Sequence, residues 1–300
     1  MSGLAGPRTD ADVPEFWRTL GLPGLADVHV HFMPDRVMRK VWAFFDDARN
    51  YGRTWPVTYR YDDAKRLAVL REMGVRAFPA LVYPHKPGMA QWLNGWALDF
   101  AARTPGCVPT ATFYPEPDAA AYVRAALDAG ARIFKAHVQV GAYDPRDPLL
   151  DGVWGQLADA GVPVVTHCGS GPRPGDFTGP EIIGEVLARH PRLTIVIAHM
   201  GMPEYAEHVG LAETYENVHL DTTMFGTDFV QETTPFPRDI LPRLSALSGR
   251  VVLGTDFPNI PHSYAHQLAS LARLDLGEAW LRAVLWENGS RLLGSGTAGA

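Results

Sequence analysis

Eight short β-rich runs alternate with amphipathic helical stretches along this chain, and that alternation limits its fold more than any other feature. The runs are ADVHVHF (26–32), VRAFPALVY (75–83), CVPTATFY (107–114), ARIFKAHVQV (131–140), VPVVTHC (162–168), LTIVIAHM (193–200), NVHLDTT (217–223) and RVVLGTDF (250–257). Between them, DDAKRLAVLREMG (62–74) sets Ala64, Leu67, Ala68, Leu70 and Met73 near one helix face and ends on a capping glycine. PDAAAYVRAALDAG (117–130) repeats the pattern. PEIIGEVLARHP (180–191) opens with proline in its first turn and stops at the next proline. Strands alternating with helices imply βα units and a parallel sheet. An open doubly wound sheet is the competitor. Eight units in 300 residues favour a closed (β/α)8 TIM barrel in the α/β class, folded as a single domain.

The expected layout is an N-terminal extension over residues 1–24 packing on the barrel, the barrel itself over 25–294, and a frayed tail at 295–300. Two stretches depart from the alternation. DDARNYGRTWPVTYRY (46–61) makes a long loop after the first run and its helix, and TTMFGTDFVQETTPFP (222–237) follows the seventh run. Long loops in a compact domain are usually functional or disordered, and the aromatic content of these two favours ordered lids.

Composition narrows the function classes. The net charge is -6 with no basic stripe for nucleic acid and no polybasic patch for a membrane surface. No apolar stretch reaches the length of about 18 residues that a membrane helix needs. Two cysteines, Cys107 and Cys168, make no disulfide framework. The N-terminus lacks a basic segment followed by an apolar one. The expectation is a cytoplasmic protein with a small-molecule substrate and no nucleic-acid or membrane partner.

The first run carries His29 and His31, two residues apart. On a strand such residues face the same side, with Asp27 one step below and Val28 and Val30 turned toward the helices. Two imidazoles on one face can grip one metal ion. A histidine on an apolar strand is more often a satisfied core residue, so the pair alone leaves both readings open. The other runs shift the balance. The fifth ends in Thr-His at His167, the sixth in Ala-His at His199, and the eighth in Gly-Thr-Asp at Asp256, while the fourth carries Lys135 and His137 on one face. His167 lies 32 residues after Lys135 and His199 lies 32 after His167, one βα unit each time. In a barrel the C-terminal ends of all strands ring one mouth, where the chemistry sits.

This combination resembles the amidohydrolase superfamily: His-x-His on the first strand, Lys on the fourth, His on the fifth and sixth, Asp on the eighth. DVHVHFMP, GARIFKAH, VPVVTHCGSG, VIAHMG, VVLGTDFP and the closing ENGSRLLG narrow the likeness to its amidohydrolase-related branch of metal-dependent TIM-barrel hydrolases. That branch includes enzymes like aminocarboxymuconate-semialdehyde decarboxylase. The likeness runs from about residue 25 to 294. It implies that His29, His31, His167 and Asp256 bind a divalent ion, and that His199 lies beside it. Zn2+ at one per chain is favoured over Mn2+ or a binuclear site. Lys135 would be either a second-metal ligand or a substrate contact. Some relatives form dimers, so a homodimer is carried as an implication of the likeness only.

The chemistry implied is hydrolysis. A metal-bound water attacks the carbonyl of a lactone, ester or amide in a small carboxylated substrate, and Asp256 shuttles the proton. The same branch contains non-oxidative decarboxylases of aromatic or muconate-type acids, and the same ligands serve both. A non-enzymatic binding protein built on the barrel is the remaining class, and degraded ligands would mark it; none is degraded here.

Other residues carry two readings each. Asp27 supports the histidine pair better than it binds metal. Asp221, at the end of the seventh run, reaches substrate or caps a turn. His137 lines the mouth or packs. His219 lies deeper and packs in the core. His85, His190, His208, His262 and His266 sit in loop or helix context and read as structural. Cys168 faces away from His167. Arg53 and Arg60, with Trp55 between them, sit in the first long loop. Arginine clamps carboxylates through paired hydrogen bonds, which points to a carboxylated substrate.

Overall fold

In the computed structural model, residues 4–294 are described; the expected frayed tail at 295–300 lies outside them. The chain divides into two compact units, Met1–Phe78 with Thr222–Ala300, and Pro79–Asp221.

In the first unit, β1 (Leu25–Ala26) pairs in parallel with β2 (Val75–Pro79). The first β-rich run is regular only over those two residues and then continues extended, held by a single bridge from Val30 to Phe257. Three backbone hydrogen bonds tie it to the end of the last run: Val28 N–H to Leu253 O at 2.8 Å, Asp256 N–H to His29 O at 2.8 Å, and His31 N–H to Phe257 O at 2.7 Å. The ladder is irregular because Asp256 takes a left-handed backbone, with φ +66°. The last run accordingly forms a strand only over Val251–Val252.

The helix expected over 62–74 starts and stops where its sequence says. Asp62 accepts from Lys65 N–H ahead of the helix Asp63–Met73, which closes on left-handed Gly74. Ser263 caps the helix Tyr264–Ala272 by accepting from His266 N–H. Near the C-terminus, Gly289 lets its helix approach the first strand. A Cβ there would meet the Ala26 carbonyl oxygen at 2.7 Å.

The second unit is a five-stranded parallel sheet in chain order: β4 (Thr110–Thr112), β5 (Ile133–His137), β6 (Val164–His167), β7 (Ile195–Ile197) and β8 (Val218–Asp221). β3 (Cys107–Val108) precedes it in the same run. Val164, Val165, Thr166 and His167 are all buried, as expected of a parallel strand covered on both faces. The fourth and sixth runs are among those that end earlier than their β-rich sequence suggests. The fourth stops at His137, whose Nδ1 accepts from Val140 N–H and caps the turn Val138–Gly141. The sixth stops at Ile197 and enters a tight turn, Ala198–Gly201, with His199 and Met200 both left-handed. No helix among the described residues is long and apolar enough to cross a membrane.

Candidate metal centre

His29, His31 and Asp256 bring one ligand atom each to within 4.8 Å of one another. Nε2 of His31 lies 2.9 Å from Asp256 Oδ1, and Nε2 of His29 lies 3.8 Å from the same oxygen. The two imidazole rings meet edge-on with centroids 5.1 Å apart. Both histidines are buried, and Asp256 is 14 % exposed. Alternation along the extended first run puts both rings on one side, while Val28, Val30 and Phe32 are fully buried on the other. The left-handed backbone at Asp256 turns its carboxylate onto the histidine pair. A left-handed non-glycine residue costs about 1–2 kcal/mol and persists where its surroundings hold it. Asp256 is held on both sides, through its N–H to His29 O and through its own carbonyl, which accepts from Asn259 N–H at 2.8 Å.

The donor set, two imidazoles and one carboxylate, suits a divalent ion of the zinc or manganese kind. His29 is also prepared for the role. Its Nδ1 lies 3.1 Å from Thr223 Oγ1, so this ring edge is engaged and Nε2 is the nitrogen that faces Asp256. Thr223, beside His29, and Thr255, which donates to Asp27, are residues of the candidate site that sequence reasoning missed. The only signals for them were their places in the strand-ending strings LDTT and GTD. Asp27 is where the sequence put it, below the pair. It is fully buried, and its Oδ1 accepts from His29 N–H at 3.1 Å.

The second unit gathers its own row of histidines. His137 and His167 are register partners on adjacent strands, and their rings stack at 4.2 Å with 11° between planes. His167 meets His199 edge-on at 4.8 Å, and His137 lies 4.7 Å from the Tyr83 ring. His167 Nε2 sits 3.0 Å from the Gly171 carbonyl oxygen. Asp221 Oδ1 accepts from His199 N–H at 2.9 Å, which makes Asp221 the support of the strained turn carrying His199. Lys135 is fully buried on β5, one alternation below His137. Cys168 does turn away from His167. Its thiol lies 3.8 Å from His208 Nε2, and burial pushes it up to about 12 against the opposing pull of Lys135. His208 is packed so tightly on Gly201 (φ +73°) that a Cβ there would meet its ring at 2.2 Å.

The loop residues have partners of their own. Arg60 forms a two-pronged pair with Asp46, at 2.6 and 3.0 Å. Arg53 lies 3.7 Å over the Phe229 ring, donates to the Phe229 carbonyl at 3.0 Å, and pairs with Glu232 at 2.9 Å. The buried Trp55 donates from Nε1 to Asn259 O at 2.7 Å and stands among Phe45, Tyr51 and Phe229, with centroids 5.0–5.2 Å away. The two aromatic loops flagged in the sequence therefore dock on each other within the first unit.

The family model described as Amidohydrolase matches residues 26–295. No curated protein sequence matches the chain. Among solved structures, an uncharacterised TIM-barrel protein from Bordetella bronchiseptica superposes with a TM-score of 0.71 at 20% identity, covering 89% of this chain and 98% of that one. A 5-carboxyvanillate decarboxylase from Novosphingobium aromaticivorans, complexed with manganese and 4-hydroxy-3-methoxy-5-nitrobenzoic acid, gives 0.61 at 15% identity over 92% and 97%. A probable 2-pyrone-4,6-dicarboxylic acid hydrolase from Acinetobacter baumannii, with citric acid bound, gives 0.61 at 13% over 90% and 99%. These likenesses give the chain the (β/α)8 TIM-barrel fold.

Proposed function

The chain belongs to the amidohydrolase family, and from that membership we propose that it is a metal-dependent hydrolase opening a lactone, ester or amide bond of a small carboxylated substrate. The observation that carries this reading is the convergence of His29, His31 and the left-handed Asp256 on one point. The likeness to the family adds His167 as a further ligand and favours one ion per chain, with Lys135 contacting substrate. Zinc is the favoured ion and manganese the alternative.

When bound, the ion supplies a Lewis acid and lowers the pKa of water toward ~7. The residues do the rest. Thr223 fixes the His29 ring, so Nε2 holds its direction. Asp256, the most exposed of the three, accepts the proton of the attacking water as the water oxygen bonds to the carbonyl carbon. It returns that proton to the leaving oxygen or nitrogen as the old bond breaks. The likeness to the family implies that His199, whose N–H donates to Asp221, would stabilise charge developing on the carbonyl oxygen.

A second reading, a non-oxidative decarboxylase of an aromatic or muconate-type acid using the same ligands, is favoured by the ring cluster of Phe45, Tyr51, Trp55 and Phe229. Such a cluster suits stacking on a flat substrate. One panel separates the two. Acid release from lactones identifies the hydrolase, and carbon dioxide release from 2-hydroxybenzoate-type acids identifies the decarboxylase. Turnover of neither class by metal-loaded protein contradicts both.

A further inference from the structure

We propose that Tyr264 is a positioning residue for the His29–His31–Asp256 centre, and that the N-terminal segment around Asp10 acts on that centre through Tyr59 and Tyr264. The inference rests on the metal-centre reading above and extends it to residues far from the ligands in sequence.

The two oxygens of Asp27 clasp both ligand-bearing segments. Oδ1 accepts from the backbone of His29 at 3.1 Å. Oδ2 accepts from the hydroxyl of Thr255 at 2.6 Å, one residue before Asp256, and from the hydroxyl of Tyr264 at 3.0 Å. Asp27 is thus the joint between the two halves of the centre, and Tyr264 is its external donor. Tyr264 is in turn fixed from behind. Its N–H donates to the Tyr59 hydroxyl at 2.5 Å, and that hydroxyl donates to Asp10 Oδ2 at 2.5 Å. Asp10 Oδ1 accepts from Ala265 N–H at 2.9 Å.

The proton directions in this chain are forced. A backbone N–H only donates and a carboxylate only accepts, so Tyr59 receives from Tyr264 and gives to Asp10. Tyr59 and Tyr264 are buried. Burial first, and then the neighbouring carboxylate, holds both phenols above their ordinary range, so each keeps its proton and remains a donor across the working pH. Donors from His29, Thr255 and Tyr264 on a fully buried carboxylate match its strong need for hydrogen bonds. Removing the Tyr264 hydroxyl leaves Asp27 short of a donor, loosens its hold on Thr255 and on His29 N–H, and lets the ligand atoms drift apart. Loss of an outer-shell partner of this kind typically weakens metal binding about 10–100-fold.

The test is Mn2+ binding by titration calorimetry, with melting curves of the metal-free proteins, on the full chain and on Tyr264→Phe, Tyr59→Phe, Asp10→Asn and the Tyr264→Phe/Asp10→Asn double variant. The expected result is a Kd raised about 10–100-fold in Tyr264→Phe. Tyr59→Phe and Asp10→Asn should raise it by smaller factors, and the double variant should bind no worse than Tyr264→Phe alone, because the segments act in series. An unchanged Kd in Tyr264→Phe, with only the melting temperature lowered, overturns the inference and leaves a purely structural tyrosine. Independent multiplication of the two single effects overturns the N-terminal link. If Tyr264→Phe fails to fold, Tyr59→Phe decides by the same comparison. A native chain that binds neither Mn2+ nor Zn2+ overturns the proposed function itself, which separates the two failures.

Discussion

His31 Nε2 lies 2.9 Å from Asp256 Oδ1, a contact between a histidine on the first β-rich run and the aspartate that follows the last strand. The left-handed φ of +66° that creates it bears on the choice of variant. Asn tolerates that backbone almost as well as Asp. Asp256→Asn should therefore fold with a metal-free melting temperature within a few degrees of native, yet lose turnover by about 10²–10⁴-fold, because an amide cannot take and return a proton. Steady-state kinetics and a thermal melt check this. Full activity in Asp256→Asn removes Asp256 as the proton carrier.

Thr223 Oγ1 sits 3.1 Å from His29 Nδ1. Thr223→Val keeps the shape and removes the hydroxyl, so metal affinity should fall about 10–100-fold. Thr223→Ser should restore most of it. Chelator competition measures both, and equal affinity in Thr223→Val would show that the hydroxyl does not orient the ring.

Acid sensitivity follows from His262 and His208. Burial lowers the pKa of His262 to about 4, and burial also lowers that of His208. In the unfolded chain both titrate near pH 6.5. Below that pH the unfolded state binds protons that the native state refuses. The stability that His262 allows is present above pH 6.5 and is lost as the pH falls through about 4, and the His208 contribution is lost in the same direction. For His262 the loss amounts to up to about 3 kcal/mol. Denaturant melts of the native chain and of His262→Gln between pH 7 and 4 test this. The variant should show a shallower decline, and parallel curves would contradict the assignment.

Much of the centre was legible because strand alternation and chain-end position are written in the sequence. His29 and His31 had to share a face, and the string ending in His167 marked a strand end, whereas those ending in His199 and Asp256 run past strands that stop at Ile197 and Val252. Helix ends were legible where a capping side chain or glycine was present, as at Asp62 and Gly74. What the sequence hid was backbone conformation. Nothing in VIAHMG or GTDF signals that His199 and Asp256 are left-handed, so the β-rich runs there looked longer than the strands. Hydroxyl partners were also hidden. Thr223, Thr255 and Tyr264 join the site through hydroxyl hydrogen bonds to residues remote in sequence, and no periodicity reports such contacts. The loop arginines show the converse. Arg53 and Arg60 looked poised for a ligand carboxylate, yet each is paired with an acid of this chain.

Burial pushes both thiols up to about 12. At pH 8 almost no thiolate exists at either cysteine, and the thiolate is the nucleophile. Iodoacetamide at pH 8 should leave Cys107 and Cys168 unmodified in the native protein over a period that labels both fully in urea. Mass spectrometry reads the result, and labelling of native Cys168 at the unfolded rate would contradict its burial against His208.

The central claim is that His29, His31 and Asp256 hold one catalytic ion. The most direct measurement is metal content by inductively coupled plasma mass spectrometry, after loading with Zn2+ and dialysis, for the native chain and for His31→Ala. The account predicts about one ion per chain in the native protein and little in the variant. No ion in the native chain, or equal retention in His31→Ala, would contradict it.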